Sequence, residues 1–411
     1  MHTGLAIVEG LSLLPLAPAV YLLMLLFLGV QYQRAQRMER SVLGLKVSLF
    51  AGQWWKSLLY GLIMGIAISG GVYLIRHYFI LSWSVTLSWE LWIVFLLLAI
   101  IDVRLADIAI VGPIVILLYA MLVMIPSTNF WWLPTLDQLR SLLFITGATQ
   151  LFVGILGIIS RERYASPLYV KSKRGQVVGM FISQMFWPIP LLLPSTGMIL
   201  PAVIFTGINS YSISSPSAHI IHQKGRVVLL VGILVLVSSV LLGTSMVHLL
   251  IIAVASLLLR VALLQFIQIT EKDSLPIYVQ PARGVRVLAS IARSPAAQLG
   301  LQAGEIILKI GNIHVNSPYD IHFAIDQNPA YVKLEVVDVR GESRFIGTPI
   351  FADGPSQLGV VVVPDAYLHQ YREVYGMGQW IWIWRWWAKD PNKMQSRYRS
   401  SVMASSENQS L

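Results

Sequence analysis

Five apolar runs, at 11–30, 58–75, 140–159, 227–243 and 247–268, govern what this chain can become. A helix crossing ~30 Å of hydrocarbon needs about 20 mainly apolar residues, and each run approaches that length. Only 12% of the residues are charged, against about 25% in a soluble domain, so lipid solvates most of the chain. Residues 86–125 are too long for one span and hold Asp102, Arg104 and Asp107 midway. A charge at the bilayer centre costs roughly 2.5–3.5 kcal/mol, which predicts two helices joined by a polar turn at 102–107. Pro188, Pro190, Pro194 and Pro201 break the apolar run at 177–210, leaving two short spans or a re-entrant hairpin open. The expected fold is a polytopic α-helical membrane protein of about 7–9 spans over residues 1–270. The run at 11–30 follows no basic segment of the kind that opens a cleavable signal peptide, and it reads as a retained anchor.

Charge is split unevenly along the chain. Residues 1–270 hold 16 Lys/Arg and 7 Asp/Glu, net +9; residues 271–411 hold 14 and 13, net +1. The excess therefore belongs to the apolar part, where it sets topology and attracts anionic lipids. A nucleic-acid partner would call for a basic patch on a soluble fold. Arg34, Arg37, Arg40, Lys46 and Lys56 load the connection at 31–57, Arg161, Arg163, Lys171, Lys173 and Arg174 the one at 160–176, and Lys224 and Arg226 a third. The connections at 76–90 and 126–139 are nearly neutral. By the positive-inside rule the basic connections face the cytoplasm, and an odd span count then delivers residue 270 there.

Past a linker at 271–283 the pattern becomes that of a water-soluble α/β module spanning 284–365. "GVRVLASI" (284–291) alternates as a half-buried strand. "SPAAQLG" (294–300) reads as a short helix with Ser294 as N-cap, Pro295 at the first turn and Gly300 as terminator. "EIILKI" (305–310) and "YVKLEVVDV" (331–339) are strands, and "NSPYDIHFAIDQ" (316–327) is a second Ser-Pro helix. This order resembles the PDZ domain in its bacterial form, with Glu305 where Asp is usual and Gly311-Asn312 in place of Asn-Gly.

The resemblance implies binding of an extended peptide added to a sheet edge, its carboxylate held by amides of a Leu-Gly-apolar loop. Before the strand at 284–291, where that loop belongs, the chain is barely out of the membrane, and the matching pattern lies instead after the main fold, as "QLGVVVVP" (357–364). The expectation is a circularly permuted domain whose groove lies between 358–363 and the helix at 318–327. Peptide contacts would come from Leu358, Gly359, Val360, Val361, Ile321, His322 and Ile325. A core strand and a groove strand look alike in sequence, so the same residues also read as ordinary core.

No catalytic, cofactor or metal site is expected. The chain has no cysteine, which removes disulfides and thiolate ligands. "AHIIHQK" offers His219 and His222 without the glutamate of a zinc-protease helix. "LPSTG" (193–197) matches a sortase pentapeptide but lies mid-membrane with further spans behind it. Asp102 and Asp107 read as turn residues rather than as an aspartyl pair. "WIWIWRWW" places Trp380, Trp382, Trp384, Trp386 and Trp387 in eight positions, too short to span. This reads as an interfacial segment (366–390) at the headgroups, an aromatic partner surface being the alternative. Residues 391–411 are polar and read as a disordered tail.

A polytopic membrane part, a PDZ-like module directly after the last span and no catalytic constellation together resemble the MinJ family of division-site proteins. The resemblance implies a non-enzymatic adaptor in the cell membrane of a Gram-positive bacterium, concentrated at septum and poles. It would link a DivIVA-like landmark protein to a MinD-like division inhibitor. Two other readings remain: a non-catalytic partner of a membrane protease, and a transporter.

Overall fold

The computed structural model describes residues 54–364, apart from breaks at 76–80, 102–104, 124–132, 160–164, 173–175, 196–198, 243–244, 292, 328–330 and 350–357, together with Gly29, Gln33 and residues 372–373. The anchor at 11–30 apart from Gly29, Asp102, Arg104, the tryptophans at 380–387 and the polar tail lie outside the described residues.

Among the described residues six apolar helices make up the membrane unit: α1 (Trp54–Ile75), α2 (Val85–Ile101), α3 (Ile108–Val123), α4 (Leu136–Ile159), α5 (Ser217–Leu241) and α6 (Met246–Asp273). Four of them, α1, α4, α5 and α6, are long and apolar enough to cross a membrane, while α2 and α3 are shorter. α4 and α5 pack closely because glycines face backbone: a Cβ on Gly147, Gly154 or Gly232 would come within 2.6 Å, 2.5 Å and 2.7 Å of the partner helix's backbone nitrogens. Small residues at a lipid-embedded helix contact let backbones approach and gain dispersion energy.

Among its described residues the proline-broken run at 177–210 holds no helix; of the two readings left open, two short spans or a re-entrant hairpin, the structure has a hairpin, built of strands. It is a long antiparallel hairpin of β2 (Val177–Pro194) and β3 (Ile199–Ser212), paired without a register shift from Phe181↔Ser212 to Pro194↔Ile199. β1 (Ala165–Lys171) extends it, and β10 (Arg372–Glu373) pairs with β1 in parallel. Backbone groups on the outer edges of such a hairpin need partners, because lipid supplies none. Toward the end of β2 the residues whose backbone groups face away from β3 include 188, 190, 192 and 194. Three of these are prolines, which have no N–H to satisfy, and the N–H of Leu192 donates to Ser69 Oγ at 3.0 Å. The carbonyls of Pro188 and Pro190 lie where a Cβ on Gly61 or Gly65 would sit, 1.8 Å and 2.0 Å from it. The i, i+4, i+8 stripe Gly61–Gly65–Ser69 of α1 is thus cut to fit the strand edge.

The outer edge of β3 is satisfied by side chains. Gly207 N donates to Asp107 Oδ2 at 3.4 Å, Asn209 O accepts from Lys224 Nζ at 2.8 Å, and Tyr211 O accepts from Gln268 Nε2 at 3.0 Å. Glu271 accepts the N–H groups of Ile213 and Ser214, each at 2.7 Å, just past the strand. These partners fall on alternate residues, as the period of a strand requires. Asp107 does occupy a turn, its Oδ1 accepting from Ala109 N at 3.0 Å at the start of α3. It also forms a buried ion pair with Arg260, 2.7 Å away on α6, a role the turn reading does not include.

The soluble module has a second, separate core of Val285, Val287, Ile307, Ile310, Leu334 and Val336 with their neighbours. Its elements are β4 (Val285–Ser290), α7 (Pro295–Gln298), β5 (Ile306–Ile310), β6 (Ile313–His314), α8 (Pro318–Gln327), β7 (Tyr331–Val337), β8 (Ser343–Pro349) and β9 (Val360–Val362). The sheet order is β8-β7-β5-β4-β9, with β6 beside β5. The expected helix starts are there. Ser294 Oγ accepts from Ala297 N at 3.3 Å, and Ser317 and Asp320 cap each other through Asp320 N→Ser317 Oγ (3.3 Å) and Ser317 N→Asp320 Oδ2 (2.8 Å). The Asn316 N–H, followed by the Ser317 groups, holds the Asp320 carboxyl below its ordinary 3.8. Glu305 is buried, with Oε1 2.7 Å from Arg344 and Oε2 accepting from Gln302 N at 3.0 Å.

Candidate functional site

The C-terminal strand β9 occupies the sheet edge beside the module's first strand, β4. It pairs antiparallel through Ser290↔Val360, Ala289↔Val361 and Val287↔Val362. Gly359 O accepts from Ile291 N at 2.8 Å and Val363 N donates to Arg286 O at 2.8 Å, so the backbone of 359, 361 and 363 faces β4. By strand alternation, the N–H and C=O of Val360 and Val362 face the opposite edge. No other strand pairs there among the described residues.

The side chains alternate as well. Leu358, Val360 and Val362 turn into the module core with Ile321, Ala324 and Ile325 of α8. The structure therefore brings the expected groove strand and groove helix together. Leu358, Ile321 and Ile325 are 2%, 4% and 3% exposed, filling the space between strand and helix, while Val360 is half-buried and His322 exposed. Val361 points the other way, into a cluster with Phe181, Tyr278, Leu288 and Val363.

Gly359 has φ +69°, and a Cβ there would lie 2.3 Å from Ser294 Cβ. Its carbonyl also accepts from Ser294 Oγ at 3.2 Å, and Leu358 O accepts from Ala296 N at 3.0 Å. The Leu-Gly pair is thus locked onto the start of α7, in the left-handed region that favours glycine.

Residues 286–338 match the family model for the PDZ domain. The C-terminal module is a PDZ domain. The match runs from β4 through β7 and ends before β8 and β9. Over a longer stretch the chain is similar to "Cell division topological determinant MinJ" of Bacillus subtilis (strain 168), 29% identical over 248 residues, which are 53% of this chain and 62% of that protein. It is also similar to "Probable cell division topological determinant MinJ" of Lacticaseibacillus paracasei, 34% identical over 83 residues, 20% of this chain and 23% of that one. Together these findings give the chain a C-terminal PDZ domain and a likeness to proteins named MinJ. The aligned part spans about three-fifths of the length of the Bacillus relative.

The PDZ domain is seated on the strand end of the membrane unit. Phe181 and Tyr278 meet edge to face with ring centroids 4.9 Å apart, and Gly179 N donates to Tyr278 O at 2.8 Å. The connection after α6 is laid along the hairpin, with Ile277 N donating to Ile213 O at 3.1 Å. Tyr169 of β1 reaches the β9 edge itself, its hydroxyl donating to the outward carbonyl of Val362 at 2.8 Å. Burial pushes the Tyr169 hydroxyl pKa above its ordinary value, so it stays protonated and a donor at neutral pH. Sequence reasoning missed Tyr169, because nothing in "SPLYVK" ties it to a residue 193 positions away.

Proposed function

We propose that the chain is a membrane-fixed, non-catalytic adaptor whose PDZ domain presents the β9 edge to an extended segment of a division-machinery protein. The observation that carries this reading is the edge itself. A strand at the end of the sheet, with α8 packed beside it, is the arrangement that recognition by strand addition uses. Within the stretch Leu358 to Val361 proposed to meet the peptide, the outward backbone is that of Val360. It and the exposed side of α8 around His322 would touch the peptide, with Leu358, Ile321 and Ile325 supporting them from beneath and Gly359 and Val361 holding the strand on β4. The chain order, with the edge strand supplied by the C-terminal end of the module, supports a circularly permuted PDZ arrangement.

Similarity to proteins named as cell division topological determinants supports a role in choosing the division site. By family resemblance the linked partners would be DivIVA-like and MinD-like proteins. The six described helices support a cytoplasmic PDZ domain, since an even number returns the chain to the side of the basic connection at 31–57. Membrane attachment raises the effective concentration of the domain toward membrane-bound partners, so each contact can be weak.

The test is a fluorescent fusion imaged through the division cycle, combined with depletion. The expected result is septal and polar foci, with filaments or minicells on depletion. A uniform membrane signal with normal division would overturn the reading.

A further inference from the structure

A cavity of about 260 Å³ lies inside the membrane unit against the outer edge of β3. Among the described residues its wall carries three charged groups, Asp107, Lys224 and Arg260, all buried. Lys224 Nζ donates to Asn209 O at 2.8 Å and to Gln268 Oε1, and buried charge in such a region is costly. Asp107 is already committed: Oδ1 accepts from Ala109 N at 3.0 Å, and Oδ2 takes Arg260 Nη2 at 2.7 Å and Gly207 N at 3.4 Å. Arg260 is 4% exposed, and its Nη1 has no hydrogen-bond partner among the described residues. A buried guanidinium nitrogen left without an acceptor costs free energy that an oxyanion would recover.

We propose that this cavity binds the anionic phosphate group of a ligand, held between Arg260 and Lys224. A phosphate's oxygens match the planar fork of arginine while lysine supplies a point charge. Ser183 and Ser210 line the same wall and supply hydroxyl donors. The volume falls below the ~300–1,000 Å³ of a site that swallows a whole small molecule, so it admits a headgroup rather than an entire lipid. Val261, on the same wall, is 42% exposed on α6. The cavity thus borders the apolar exterior, from which a headgroup can enter with its acyl chains left outside. Basic pockets between transmembrane helices hold anionic lipid headgroups on the same logic. The site is separate from the PDZ edge and does not depend on the adaptor reading.

The experiment is thermal unfolding of the full chain in a neutral detergent, titrated with phosphatidylglycerol, phosphatidylcholine or inorganic phosphate. The expected result is a saturable rise in Tm with phosphatidylglycerol that phosphatidylcholine does not match. Half-saturation should be at least tenfold weaker in Arg260→Lys, which loses the second guanidinium nitrogen, and in Lys224→Gln. Asp107→Asn should lower the starting Tm yet tighten half-saturation, because it raises the wall charge; a purely structural role for these residues does not produce that opposite sign. An equal, saturable rise with inorganic phosphate would keep the site and make a soluble oxyanion its occupant. Equal responses to both lipids without a phosphate response would overturn the proposal, as would half-saturation unchanged in Lys224→Gln and Asp107→Asn, the pair that decides if Arg260→Lys does not fold.

Discussion

Gly359 shows how one residue carries two meanings. In sequence it marks a carboxylate-holding loop, and a bulky substitution would then weaken partner binding alone. In the structure its positive φ and its approach to Ser294 are needed to lay β9 on β4 at all. We expect Gly359→Ala to destabilise the PDZ domain by about 1–3 kcal/mol, the range for a strained left-handed residue, with no partner present. Hydrogen exchange on the full chain should show faster exchange in the peptides covering 285–291 and 360–363. Unchanged exchange in Gly359→Ala would return the glycine to a purely ligand-facing role. Loss of partner recruitment in a Gly359 variant therefore says nothing about the loop until the exchange pattern is known.

At the scale of elements, the helix–hairpin seam is the least forgiving contact. Gly65→Ala places a methyl 2.0 Å from Pro190 O, whereas a Cβ on Gly70 of the same helix meets nothing within 4 Å. We expect Gly65→Ala to cost about 1–3 kcal/mol by overpacking and Gly70→Ala to be neutral or slightly stabilising, as read by thermal melts of the full chain. Equal effects would mean that α1 does not hold the β2 edge. This seam also shows what the sequence made legible. The helices could be read because apolar run length and the cost of a buried charge are local properties. The two Ser-Pro helix starts could be read because capping is local too, and Ser294 and Ser317 cap as expected. The hairpin could not, since prolines at 188, 190 and 194 look like interruptions of a helix until the partners of the intervening residue are known. Their period of two was visible, but its meaning depends on Ser69, more than a hundred residues earlier. Arg260 was hidden for the same reason: inside an apolar run it is one tolerated charge, and only the fold brings Asp107 to it.

For the molecule as a whole, the PDZ sheet is a layer between two cores. Leu358, Val360 and Val362 face α8, while Val361 and Val363 face the hairpin, so strand β9 is at once the candidate recognition edge and the seat of the domain on the membrane unit. The Tyr169 hydroxyl sits where the two roles collide. A segment adding to the outward edge of β9 needs the Val362 carbonyl that Tyr169 already holds, so binding and seating compete for one acceptor. Tyr169→Phe keeps the ring and removes the competing donor. A typical hydrogen bond is worth about 0.5–1.5 kcal/mol net, which corresponds to roughly a two- to tenfold change in an equilibrium. In the full chain without partner, exchange at 360–363 should rise by that factor. If the edge receives a partner segment, recruitment of the partner to the variant should tighten by a similar factor, because the competitor is gone while the peptide-facing backbone is intact. Faster exchange with unchanged recruitment would place the partner elsewhere on the molecule. Unchanged exchange would mean that the seating rests on the Phe181–Tyr278 contact and the backbone bonds of Tyr278 and Ile277, and truncating Phe181 to alanine should then loosen the domain where Tyr169→Phe does not.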